Sequence, residues 1–332
     1  MTKLPFDEKL STLLDSYCEN QSGAGWRLLM KRDTEIFQYL DSNGYSRQEI
    51  ERKLTVLQEI PAKELLRIGL AVEHMFNPVK HYLALSSLEE VFEETARLCR
   101  SMDPDERFLG VFLLRRKPGR SFVSESKEIL LEMLGKEGDA FVMVSLIYAV
   151  NEHLIYEELS VEEVTPTLLS LASHEEDCVR QAVAIALCGI ESEVVETLIN
   201  LSRDPSGEVR NWATWSLVET VSAVQTEVYS DEEIGGFPDL RDVFMDRVND
   251  ENRGAHIEAI RGLALYKDSR VLKSLKKELQ SEDVSSSVLE AASTMADPEL
   301  FPILAAIKHE HVSWDHSGLK EAIESCKPED MS

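Results

Sequence analysis

The residues of this 332-residue chain that could do chemistry are its eight histidines, five cysteines and 61 acids. A histidine next to a glutamate occurs at His174-Glu175 and His309-Glu310, and His309-Glu310-His311 with His316 offers imidazole and carboxylate donors that could recruit a metal. An exposed, solvated cluster is the plainer reading of that stretch. Adjacent carboxylates such as Glu157-Glu158 and Glu162-Glu163 have the residue types of a general acid and base. With 61 acids in the chain, composition alone produces such pairs, so they carry no catalytic weight. Cys18, Cys99, Cys178, Cys188 and Cys326 are odd in number, widely spread and free of any CxxC spacing, as expected of reduced, mostly buried thiols in a cytoplasmic protein. Phosphate-loop, dinucleotide, nucleophile-elbow and HExxH motifs are all missing. No catalytic residue, metal ligand or cofactor is expected, and an enzyme is the less favoured reading.

Charge excludes more. Lys and Arg number 35 against 61 Asp and Glu, a net charge of −26. A chain this acidic has no electrostatic footprint for nucleic acid or anionic lipid. The imbalance is concentrated: Glu137 to Leu240 holds 21 acids and only Arg180, Arg203 and Arg210 as bases. Asp7, Glu8 and Lys9 stand where a signal peptide would need its apolar run, and the most apolar window, Phe141 to Val150, is half the length of a membrane span. The expectation is a cytoplasmic protein without a membrane segment.

The elements that position these residues repeat along the chain. Val179-Arg180 to Ile190 aligns with Val209-Arg210 to Thr220 at an offset of 30 residues, and Asn252-Arg253 to Leu263 fits as a third copy 43 residues on. A degenerate copy begins near Val284, and Glu106 to Leu114 and Ala140 to Val150 read as earlier ones. Each is followed by a second apolar period, as in Val194 to Leu201, Val271 to Leu279 and Leu300 to Ile307. Spacing of i, i+3, i+4 and i+7 specifies amphipathic helix rather than strand. Ala182, Ala184, Ala186 and Gly189 would let neighbouring helices approach closely. A lone helix pair cannot bury its apolar face, so the pairs must stack.

These spans, above all Asp204 to Trp215 and Glu258 to Arg270, resemble the HEAT-repeat superfamily in its short form of about 30 residues, first associated with phycobilin lyases. The resemblance implies an all-α, α-α superhelix (a HEAT-like solenoid) and says little about activity. It is clearest over 174–308 and looser over 101–150. Such repeats often have an Asp six residues before the Arg, forming a ladder. Asp204 fits that spacing before Arg210, but His174 and Arg247 stand there before Arg180 and Arg253, so a continuous ladder is not expected. Two enzymatic relatives, bilin lyases and di-iron hydroxylases, set the alternative function of an enzyme or enzyme subunit. The di-iron class needs four His-Glu pairs in register, and this chain has two out of register.

Residues 1–100 are helical but out of phase, with a capping-box signature at Ser46 to Glu49, and are expected to form an irregular N-terminal cap on a solenoid of 101–332. Between the paired helices of the second clear unit lies an acidic insertion, 225–238, that carries Tyr229, Asp231, Glu232, Glu233, Gly235-Gly236 and Phe237. An aromatic residue beside charge has the composition of an interface anchor with a steering rim, and Phe237 is expected to be exposed. A tolerated surface ornament is the competing reading. Trp212 should flank the core, whereas Trp215 should meet a neighbouring unit or a partner. With Glu157, Glu158, Glu162 and Glu163, these residues make the expected binding surface for a basic protein. An antitoxin or immunity role is one concrete version, because blocking a basic toxin surface needs an acidic complement.

Overall fold

The computed structural model describes residues 89–115, 122–155, 159–187, 189–226, 237–307 and 316–328. Every element among them is helical: fourteen α-helices and two short 3-10 turns. The all-α reading stands. The expected cap falls outside the described residues up to 88, and its last part is helix α1 (Glu89–Cys99). No described helix is long and apolar enough to cross a membrane.

The chain divides into two compact units, Met1–Leu159 and Ser160–Ser332. In the first, α2 (Pro104–Arg115) packs between α1 and α4 (Ala140–Ile155), and α3 (Val123–Leu134) packs on α4. Local signals start these helices. Asp103 Oδ1 accepts from Asp105 N at 3.0 Å, Pro104 opens α2, and Asp139 Oδ1 accepts from Phe141 and Val142 N at 3.0 Å. Arg107 then reaches forward 30 residues and takes both oxygens of Glu137 at 2.8 Å.

The second unit is a two-layered array of α5 (Val161–Leu171), α6 (Asp177–Ala186), α7 (Ser192–Leu201), α8 (Gly207–Gln225), α9 (Arg241–Arg247), α10 (Arg253–Leu265), α11 (Leu272–Leu279), α12 (Ser286–Met295), α13 (Phe301–Ala306) and α14 (His316–Ser325). The even-numbered helices α6, α8, α10, α12 and α14 pack side by side as one layer, and α5, α7, α9, α11 and α13 pack on it. Val179, Ala182, Val183 and Ala186, then Val209, Ala213 and Leu217, then Ile260 and Leu263, are buried between the layers. The expected small residues Ala182, Ala184 and Ala186 are all buried. The helix expected to run to Ile190 stops at Ala186, however. Leu187 leaves it with ψ 120° and Gly189 has φ 135°, a conformation that L side chains rarely adopt, so Gly189 makes the turn rather than a helix contact. Each odd-numbered helix packs against the even-numbered helix after it, α7 on α8 and α9 on α10. The packed hairpin therefore straddles the Asp/Pro/Gly turn, the opposite phase to the unit read from the sequence.

Two arginine rungs cross this unit, in a register that the sequence alignment misplaced, and a histidine takes the third position, so the ladder is not continuous. Arg180 donates to both Asp204 oxygens at 2.7 and 2.9 Å, and its Nη1 donates to the carbonyls of His174 and Glu175. Arg210 repeats this with Asp250, at 2.8 Å to each oxygen, and with the carbonyls of Asp204 and Pro205. Each carboxylate also accepts from the backbone N–H two residues on, Ser206 and Asn252, just before the next helix. One acid thus ties a helix start to the arginine of the preceding repeat. Because Ser206 and Asn252 are the equivalent caps, the residue matching Arg210 is His256, an offset of 46 residues rather than 43. His256 donates from Nδ1 to Val248 O at 2.6 Å, and its Nε2 lies 3.3 Å from Glu278. Arg253, placed on the ladder by the sequence alignment, is half-exposed and sits 3.6 and 3.8 Å from Glu278 and Asp283.

Burial alone would raise the carboxyls of Glu137, Asp204 and Asp250, but hydrogen bonds from Arg107, Arg180 and Arg210 and from backbone N–H groups carry all three below their ordinary values. A folded-state pKa below the unfolded one stabilises above the unfolded value and ceases to do so as pH falls through the folded one. Thermal unfolding from pH 7 to 3 is expected to show stability dropping below about pH 4. Asp204→Asn keeps an acceptor for Ser206 N and should flatten that drop; an unaltered slope would refute the ladder's part in acid unfolding.

Candidate interaction surface

Helix α8 runs 19 residues and buries Val209, Ala213, Leu217 and Val221. Its polar residues on the buried side are satisfied locally or across the layer: Ser216 Oγ donates to Ala184 O at 2.6 Å and Thr220 Oγ1 to Ser216 O at 2.9 Å. Helical spacing then leaves Trp212, Trp215 and Glu219 together on the open side. Both indoles are half-buried and meet edge to face, 5.8 Å between centroids at 76°.

Beside them, Arg261 of α10 gathers carboxylates from three consecutive helices of the same layer. Its Nη1 donates to Glu258 at 2.6 Å, and its Nη2 donates to Glu219 of α8 and Glu290 of α12 at 3.1 Å each. Burial would lower the guanidinium's pKa, but Glu258 and Glu290 outweigh it and hold Arg261 charged. Three carboxylates around one cation leave two negative charges uncompensated. Glu219 and Glu290 are 45% and 59% exposed, whereas Arg261 is only 13% exposed. Helices α6, α8, α10 and α12 contain no lysine, and their arginines, Arg180, Arg210, Arg253 and Arg261, all face carboxylates. The cations of these four helices are spent internally, and their surplus charge is negative.

The residues singled out from the sequence fall in separate places. Tyr229, Asp231, Glu232, Glu233, Glu157 and Glu158 lie outside the described residues. Glu162 and Glu163 are exposed in the first turn of α5, where Glu163 accepts from Ser160 N at 3.0 Å and completes a capping box. Phe237, expected to be exposed, is half-buried. It lines an open cleft of about 290 Å³ with Val221, Val224, Gln225, Pro238 and Tyr266, where α8 and α10 end. Asp239 at the cleft's rim is held at about 2 by Arg241. Trp215 stands apart on the open side of α8. Other acids of 137–240 open helices, as Asp177, Glu193 and Glu208 do, where they oppose the helix dipole. Since successive helices run in opposite directions, these acids divide between the two edges of the array. The Arg261 cluster was missed because only its Glu258-x-x-Arg261 pair is local; the other partners lie 42 and 29 residues away.

His174 Nδ1 accepts from Glu176 N at 3.1 Å. Among the described residues, no group of three or more His, Cys, Asp or Glu could hold a metal ion. His309, Glu310 and His311 lie outside them. Cys99 and Cys326 are buried, with Cys99 pushed up to about 12 by burial, while Cys178 is exposed.

Residues 154–227 match a family model described as HEAT repeats, a span that covers α5 to α8 and so two packed hairpins. Protein YibA of Escherichia coli K12 is 29% identical over 228 residues, 67% of this chain and 75% of that protein, and the O157:H7 protein matches equally. The X-ray structure of E. coli YibA superposes with a TM-score of 0.59 at 25% identity, over 84% of this chain and 96% of that one.

Proposed function

We propose that the chain, a HEAT-like repeat protein, is a non-catalytic cytoplasmic module that binds a basic protein through the acidic surface of its repeat array. The observation that carries this reading is the even-numbered layer of the second unit. Every arginine of α6, α8, α10 and α12 faces a carboxylate, these four helices have no lysine, and two half-buried indoles stand among the surplus acids. Such a surface attracts positive charge at long range and gives it apolar contact at close range. The 225–238 insertion, whose Phe237 reaches the cleft at the end of α8, would add specificity. Inhibition of a basic toxin, in an antitoxin or immunity role, is the concrete form that we favour.

Affinity capture with the full chain and with a chain lacking 225–238 tests the reading. Captured proteins should be basic, should be lost between about 0.05 and 0.5 M salt as screening sets in, and should be fewer without the insertion. Neutral or acidic partners, or retention at high salt, would overturn the electrostatic basis.

A further inference from the structure

The open side of α8, α10 and α12 has the parts of a receptor for one kind of side chain, and this inference rests on the basic-partner reading above. We infer that the partner docks there through an arginine flanked by an aliphatic residue. The guanidinium would lie over Trp215 with its N–H groups on Glu219 and Glu290, and the aliphatic neighbour would pack on Trp212.

Geometry and charge both lead there. Glu219 and Glu290 each give Oε1 to Arg261 Nη2, on side chains that are about half exposed. Arg261 is mostly buried and is held by Glu258 from its own helix, so it acts as a positioning residue that fixes the two outer carboxylates rather than as a group that a ligand would touch. Glu219 follows Trp215 by four residues on one helix, which sets the carboxylate beside the indole. A cation over an indole, with carboxylates at its edge, is an arrangement that rewards a planar guanidinium more than a compact ammonium. Charge complementarity selects the occupant. The cluster keeps two surplus negative charges on α8, α10 and α12, whose own arginines are already engaged, so an acidic or purely apolar segment would desolvate those carboxylates without compensating their surplus charge. The half-buried, edge-to-face tryptophan pair in turn supplies the rigid apolar area that binding hot spots share.

The test is fluorescence anisotropy with the full chain and a labelled octapeptide of alternating arginine and leucine, with the lysine–leucine peptide as comparison. The arginine peptide should bind several-fold tighter than the lysine one. Trp215→Ala, and separately the pair Glu219→Gln with Glu290→Gln, should each weaken it by about tenfold or more. The pair Glu193→Gln with Glu196→Gln removes the same charge from exposed positions of α7, in the other layer, and should change affinity by less than about twofold. Trp215→Phe, which keeps an aromatic ring in the packing, should give an intermediate loss, with thermal unfolding showing each variant folded. Equal losses from the two glutamate pairs, or wild-type affinity in the Trp215 and Glu219/Glu290 variants, would overturn the site while leaving a diffuse attraction for basic partners standing. If the unaltered chain binds neither peptide, the basic-partner reading itself fails.

Discussion

Replacing Phe244 with alanine is expected to destabilise the second unit by about 3–5 kcal/mol, as for a large buried aromatic with little room to collapse around the cavity. Phe244 is fully buried and is the one buried residue of the seven-residue helix α9, which is too short to persist without tertiary contact. Its ring lies over Gly262 of α10, where an added Cβ would come within 2.7 Å of three ring carbons. Glycine in mid-helix carries its own cost, and here the close approach of the ring explains its presence. The two positions should therefore be coupled. Gly262→Ala alone should cost about 1–3 kcal/mol through overpacking, and distinctly less in the Phe244→Ala background, where the methyl enters the vacated space. Denaturant unfolding of the four members of the cycle gives the coupling. Additive losses, or a Phe244→Ala cost below about 1 kcal/mol, would mean that α9 is not clamped on α10 as described. The consequence reaches the surface. Residues 237–240 lead directly into α9, so loosening this helix also loosens Phe237 and the cleft.

How much of this was legible in the sequence follows from the range of each interaction. Helix type and the two-helix repeat could be read because apolar spacing is local, and Val179, Val209 and their neighbours are buried as that spacing requires. Register between repeats was harder. Arg253 resembles Arg210 in its neighbours, yet cap geometry assigns the equivalent slot to His256, and a sequence match by residue type favours the arginine over the histidine. The pairing within the ladder is hidden for a related reason: Asp204 precedes the arginine of its own repeat by six residues, yet it pairs with Arg180, 24 residues earlier. Charge is the third case. The density of acids in 137–240 is plain in the sequence, but their division between helix starts and the open layer depends on helix direction. Trp215 can be placed off the core from helical spacing alone, while the carboxylates gathered by Arg261 come from three helices and have no local signature.

The ladder itself makes the second large prediction, and it should show a graded order. Asp204 is 8% exposed and Arg180 is its only side-chain partner among the described residues. Arg180→Met would thus leave a buried carboxylate with the Ser206 N–H and no bonded counter-charge, only the more distant Arg210, for a loss of about 3 kcal/mol or more. Arg210→Met should cost less, because Asp250 retains Arg247 at 3.1 Å. His256→Ala should cost least, since His256 makes one backbone contact and a 3.3 Å approach to Glu278 in place of a bidentate pair. Arginine contributes packing along its aliphatic stem as well as charge, so methionine rather than alanine is the appropriate replacement. The decisive comparison adds Asp204→Asn to Arg180→Met. Asparagine still accepts from Ser206 N but needs no counter-ion, so the double variant should be more stable than Arg180→Met alone. Urea unfolding at neutral pH separates the outcomes. A double variant no better than the single one would show that Arg180 acts chiefly by tying down the His174 and Glu175 carbonyls, and the link between successive repeats would then run through the backbone turn instead of the carboxylate.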